Sequence, residues 1–252
     1  MSKRLLSLLS SLVGVVGITA VPALAQDQSL PPLQVELTGT GKALQFEQPT
    51  RLDHILKLAQ EQNVVLQYPL AISLFDDSEQ AQQESLALKN AVLNQMIQYN
   101  LVGHPFYKFI QQSQFAPRVL SAVDVDQIRL DKFDNPLLKG QFALSAPQRA
   151  EKVLYVGNVD KVYAIKNLAG IPLHEQVDRL KSSDVGELAQ PPILIYPNGE
   201  VVTPHHGSWL TKQYYLPPLT MVYIPFDDFE QSPMDQDIVK LLSQRKPTLS
   251  KN

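Results

Sequence analysis

Cysteine is absent from all 252 residues, so neither a disulfide nor a thiolate nucleophile nor a cysteine-bound metal is available to this chain. Its stability has to come from packing, which a chain of this size can supply. Glycine is scarce at 11 residues, and none falls in a phosphate-cradling glycine loop. A Gly-x-Ser-x-Gly elbow and a His-Glu-x-x-His zinc motif are likewise missing. Among five histidines only His205 and His206 are clustered, and adjacent side chains on extended backbone point apart, which is poor geometry for chelation. Basic residues are not in excess, with 22 Lys and Arg against 25 Asp and Glu. That balance argues against nucleic-acid binding, which needs clustered cations to displace counterions. Beyond the N-terminus no stretch approaches the ~18 apolar residues of a membrane span.

What is present begins with a leader. Lys3 and Arg4 precede an apolar run from Leu5 to about Val21, and Ala23-Leu24-Ala25 is followed by Gln26-Asp27-Gln28. This pattern predicts a cleavable export signal over residues 1–25; the alternative is an uncleaved anchor. No cysteine follows the run, so a lipoprotein anchor is excluded. Loss of Lys3 and Arg4 would leave 20 basic and 25 acidic side chains, a formal charge of −5.

A first domain is expected over 26–148. Leu33 to Phe46 reads as a β-hairpin about Gly39 to Gly41, and Thr50 as the cap of a helix carrying Leu52, Ile55, Leu56 and Ala59 on one face. Val64 to Tyr68 reads as a strand ended by Pro69. From about 76 to 116 the pattern predicts a helical hairpin, broken at Gly103-His104-Pro105. Val119-Leu120 and Gln141 to Leu144 read as strands, with a turn over Asp124 to Asp126.

The second domain, 149–229, opens with two strands about a Gly157-Asn158 turn, then a helix with Ile171, Leu173, Val177 and Leu180. Ile193 to Phe226 follows as strand, turn at Pro197-Asn198-Gly199-Glu200, strand, loop with Trp209, and strand. Residues 230–252 form a tail in which Ser232 caps an amphipathic helix with Ile238, Leu241 and Leu242 on its apolar stripe and Lys240, Gln244 and Arg245 outside it. This fits an α+β chain with two copies of one unit of hairpin, helix and strands, without convincing repetition of the residues themselves.

The candidate site residues are few. Arg118 and Arg129 interrupt apolar text and suit either a surface pairing with Asp124, Asp126 or Asp131, or a cleft in which a planar fork holds carboxylate or hydroxyl groups. Phe106 and Tyr107 are candidates for stacking on a sugar, with core packing as the alternative. Ile238, Leu241, Leu242 and Arg245 are candidates for docking on a partner if the tail helix does not pack on its own domain. No metal, cofactor or catalytic constellation is expected.

Several segments in this order resemble the capsule-biosynthesis GfcC-like family. They are Arg129-Leu130-Asp131 leading to Asn135-Pro136-Leu137-Leu138-Lys139-Gly140-Gln141-Phe142, the Tyr155 to Val159 strand, the Pro197 to Glu200 turn, Trp209, Pro217-Pro218, and Ile238-Val239 through Leu241-Leu242 and Gln244-Arg245 to Pro247. The resemblance covers essentially the whole mature chain. It implies two β-grasp domains, the first with an inserted helical hairpin, and a C-terminal amphipathic helix. It also implies a periplasmic accessory role in assembly and export of capsule or exopolysaccharide, with polysaccharide and the export machinery as partners. The family's arginine after the helical hairpin, which lines a cleft, matches Arg118. One departure is Leu219, where the family has glycine after the two prolines, so the resemblance does not supply the turn type there. The expected function is non-enzymatic binding of glycan or of an export component. Its rivals are a glycan-modifying enzyme using a carboxylate pair, and a pure interaction module docking through the tail helix.

Overall fold

A computed structural model of the chain describes residues 32–168, 170–181, 190–204 and 213–247. The leader, Trp209 and the His205-His206 pair lie outside the described residues. The protein is α+β.

The first unit starts with a hairpin, β1 (Leu33–Leu37) and β2 (Lys42–Phe46). A two-residue β3 (Thr50–Arg51) leads into α1 (Leu52–Glu61), and β4 (Ser73–Asp76) follows. Then come α2 (Glu79–Gln98), α3 (Pro105–Gln112), β5 (Arg118–Ser121), α4 (Val125–Leu130), β6 (Leu137–Leu138) and β7 (Gln141–Ser145). The main sheet runs β2-β1-β7-β4-β5, with β1 and β7 parallel and the other pairs antiparallel, while β3 and β6 pair separately. Alternation in β1 puts Leu33, Val35 and Leu37 inward, where they meet the Leu52, Ile55, Leu56 and Ala59 stripe of α1.

The second unit contains β8 (Lys152–Gly157), β9 (Tyr163–Lys166), α5 (Leu173–Lys181), β10 (Ile193–Ile195), β11 (Val201–Val202) and β12 (Met221–Ile224). Its sheet runs β11-β10-β12-β8-β9, again with the first and last strands parallel in the middle and antiparallel pairs outside. Taken from the opposite edge, this is the strand order of the first sheet. Both faces of the second sheet are covered, which is why β12 is buried at every position. Tyr155, Val222 and Ile224 face the α5 side with Leu173 and Val177. Val156, Ile193, Ile195 and Tyr223 face α6 (Pro233–Ser243).

The helical insertion reaches across to that same core. Val92 and Met96 of α2 and Phe106 and Ile110 of α3 cluster with Tyr223, Ile238, Leu241 and Leu242, so the insertion of the first unit clamps the second. The α6 start is held by Asp235, a fully buried carboxylate that accepts from Tyr223 Oη at 2.5 Å, Phe226 N at 2.9 Å, Asp227 N at 3.3 Å and Ser232 Oγ at 2.5 Å. Ser232 Oγ in turn accepts from the Asp235 backbone at 3.2 Å, as an N-cap does.

Three local expectations are corrected. Val64 to Tyr68 is irregular, and the strand is β4, which pairs on both sides and follows a single 3-10 turn begun by Pro69. Asp124 to Asp126 is no free turn: the Asp124 carboxylate accepts from Asp126 and Gln127 and starts α4. Thr50 does not cap α1. That role falls to Asn135, whose Oδ1 accepts from Asp53 N at 3.0 Å across 82 residues. Among the described residues no helix is long and apolar enough to cross a membrane.

Candidate functional site

Arg118 opens β5, and its side chain lies where the two units and α6 meet. Nε donates to the Ser243 carbonyl at 2.8 Å, Nη1 to Ser73 Oγ at 2.5 Å, and Nη2 to the Arg245 carbonyl at 3.5 Å. The guanidinium stacks over Phe75 with 4.8 Å to the ring centroid. The fork thus takes up carbonyls left open at the end of α6. Three of the five N–H groups of the guanidinium are engaged in this way. Burial pushes the group down to about 10, so it keeps its charge at neutral pH.

The β10–β11 turn closes over this arginine. Gly199 has φ +85°, and a Cβ there would lie 2.6 Å from Arg118 Nε and 2.9 Å from the Ser243 carbonyl. Only glycine permits that approach. Beside it is an open groove of about 480 Å³, lined by Pro117, Arg118, Ser121, Asn198, Glu200 and Gln244 among others. Its wall offers cation, amides and carboxylate together, a mixture of donors and acceptors.

The other sequence candidates do not join it. Arg129 sits on the exposed side of α4, 3.8 Å from Asp126, so surface pairing holds for Arg129 and fails for Arg118, whose partners are carbonyls and a hydroxyl. Phe106 is 1% exposed, packed against Phe109, Tyr223 and Phe226, and this burial removes it as a surface for sugar stacking. Tyr107 is half-buried and packed against the same core. Ile238, Leu241 and Leu242 have no exposed surface, because the stripe expected to dock on a partner is covered by the chain's own α2, α3 and second sheet. Arg245 lies over Phe109 at 5.1 Å, with Nε 3.4 Å from Ser113 Oγ, and burial lowers its pKa.

A second cleft, of about 390 Å³, lies between the end of β1 and the helical insertion, and shares no lining residue with the Arg118 groove. Its walls include Glu36, Thr38, Ser85, Lys89, Phe115 and Lys246. Lys246 pairs with Asp77 at 2.8 Å. Lys89 donates to the carbonyls of Gln111 at 2.7 Å and Ser113 at 2.8 Å, and burial lowers its pKa. Thr38 Oγ1 and Ser85 Oγ are buried without a hydrogen-bond partner. Sequence reasoning missed this cleft because its residues come from four distant segments with no common spacing. The one available signal was Ser85, a hydroxyl on the buried face of α2 in phase with Ala81, Val92 and Met96.

Among the described residues no three His, Asp or Glu side chains are placed to share a metal ion. No protein-family model and no curated protein matches the chain.

Proposed function

We propose that the chain is a periplasmic accessory protein of capsule or exopolysaccharide assembly and export, built from two β-grasp domains and binding glycan without transforming it. The repeated strand order, each time a hairpin, a helix and a further antiparallel pair around a parallel central pair, supports the β-grasp reading. The export signal over 1–25 and the resemblance to the GfcC-like family support the compartment and the pathway. The observation that carries binding is the polar groove at the junction, where Arg118 lies beside Asn198 and Glu200. Such a wall suits a hydroxyl-rich ligand, which needs donors and acceptors in alternation, and the guanidinium adds affinity for an acidic one.

The test is an NMR titration of the ¹⁵N-labelled mature protein with oligosaccharides from the host's own surface polysaccharide. Shifts at Asn198, Glu200 and the Arg118 side chain, with the sugar unchanged, support the proposal. New reducing ends would establish an enzyme instead. No shift at millimolar sugar overturns glycan recognition.

A further inference from the structure

We propose that the cleft between β1 and α2 is a second carbohydrate site, selective for a sugar unit that carries a carboxylate. This rests on the reading that the chain binds glycan, and adds a separate location and a ligand class.

Charge in the wall decides the class. Lys246 and Asp77 neutralise each other at 2.8 Å. Lys89 has no carboxylate partner among the described residues: it donates to two backbone carbonyls and lies 5.7 Å from the centre of the Phe115 ring, so no protein anion balances it and its third N–H is open to a ligand. An ammonium held this way, half out of water, gains from an anionic ligand what the protein does not provide. The lowered pKa of Lys89 has the same origin, a desolvated charge without a counterion. Glu36 is the one wall carboxylate left over, and it is exposed, where solvent and salt screen it.

The hydroxyls argue for a sugar in place of a simple anion. Ser85 is 4% exposed, and neither its Oγ nor Thr38 Oγ1 meets a protein partner. Buried polar atoms are rarely left so, and each orphan is a position where a ligand hydroxyl can be received. Both residues line the cleft. Leu86, 57% exposed, lies in the same wall and offers an apolar surface to the C–H face of a sugar ring. A volume of about 390 Å³ falls within the ~300–1,000 Å³ of small-ligand sites.

The experiment titrates the ¹⁵N-labelled mature protein in parallel with sodium glucuronate and with glucose at low salt. The expected result is glucuronate-induced shifts at Thr38, Ser85 and Lys89, with glucose weaker by about tenfold, the worth of one charge-assisted hydrogen bond. Lys89→Met should abolish this preference. Since Lys89 also holds the end of α3, Glu36→Gln serves as the second variant: it leaves every internal contact in place. It should tighten glucuronate about two- to threefold through loss of a like charge, with glucose unaffected. Equal affinity for the two sugars overturns the proposal, as does an unchanged glucuronate affinity in Glu36→Gln. Shifts confined to Asn198 and Glu200 overturn this cleft while leaving glycan binding at the Arg118 groove intact. If host oligosaccharides also shift nothing, it is the underlying reading that has failed.

Discussion

Arg118 Nε donates to the carbonyl of Ser243, 125 residues later in the chain, at 2.8 Å. One side chain therefore ties β5, the close of α6 and the β10–β11 turn into one junction. Arg118→Ala removes the fork, the stacking on Phe75 and a donor for part-buried carbonyls, and is expected to cost about 3 kcal/mol in a urea titration. Arg118→Lys should recover less than half, because a point charge cannot reproduce the fork. A loss within 0.5 kcal/mol of zero would show that the junction does not depend on it.

Gly199 should couple to Arg118. Gly199→Ala places a Cβ 2.6 Å from Nε at φ +85°, and is expected to cost about 3 kcal/mol. In an Arg118→Ala background part of the clash is gone, so the same substitution should cost at least about 1 kcal/mol less. Strict additivity in the double-mutant cycle would contradict this geometry.

Among the described residues four non-glycine positions have positive φ; two are asparagines, which tolerate it, and the other two are Ala122 at 52° and Leu219 at 69°. Thr220 N bonds to the Pro217 carbonyl at 3.2 Å, so Pro217 to Thr220 forms a type II turn with Leu219 at the position that favours glycine. A glycine at either position would relieve that strain. Ala122→Gly, which sacrifices no buried side chain, is expected to raise stability by about 1 kcal/mol, and Leu219→Gly by less because its side chain is half-buried. Thermal melts of both variants check the order.

Two buried tyrosines should respond in opposite ways. Tyr155 Oη has no partner, whereas Tyr223 Oη donates to Asp235. Tyr155→Phe is expected to leave stability unchanged or raise it by up to about 1 kcal/mol, while Tyr223→Phe should cost about 2 kcal/mol by depriving a buried carboxylate of a donor. Burial raises both hydroxyl pKa values, and for Tyr223 the Asp235 carboxylate adds to it. Stability from these groups is therefore complete below the unfolded value near 10 and falls as pH rises toward the folded values, by up to about 1.4 kcal/mol per pH unit for each group. Urea midpoints between pH 9 and 11 should fall for the parent and fall less steeply for Tyr155→Phe.

Much of the α+β architecture was legible because local chemistry and final position agree. The alternation of Leu33, Val35 and Leu37, the Ser232 cap and the Pro197-Asn198-Gly199 turn each state their conformation within a few residues. The β4 strand was not legible, since Ser73-Leu74-Phe75-Asp76 becomes a strand only through partners in β5 and β7. Asn135 as the cap of α1 was hidden for the same reason, its acceptor arriving from a loop 82 residues away. At the site, Arg118 could be singled out as an arginine in apolar text, but its partners are backbone carbonyls, which carry no residue signature. The tail helix read as a docking element because its stripe is apolar, and periodicity cannot say whether the covering surface belongs to the same chain.

The proposed role in moving polysaccharide to the cell surface is tested by the amount of surface-attached polysaccharide in a host strain from which this coding sequence has been deleted. Loss of surface polymer is predicted, restored by the parent chain with its leader and not by the chain lacking residues 1–25. Unchanged surface polymer in the deleted strain would contradict that role.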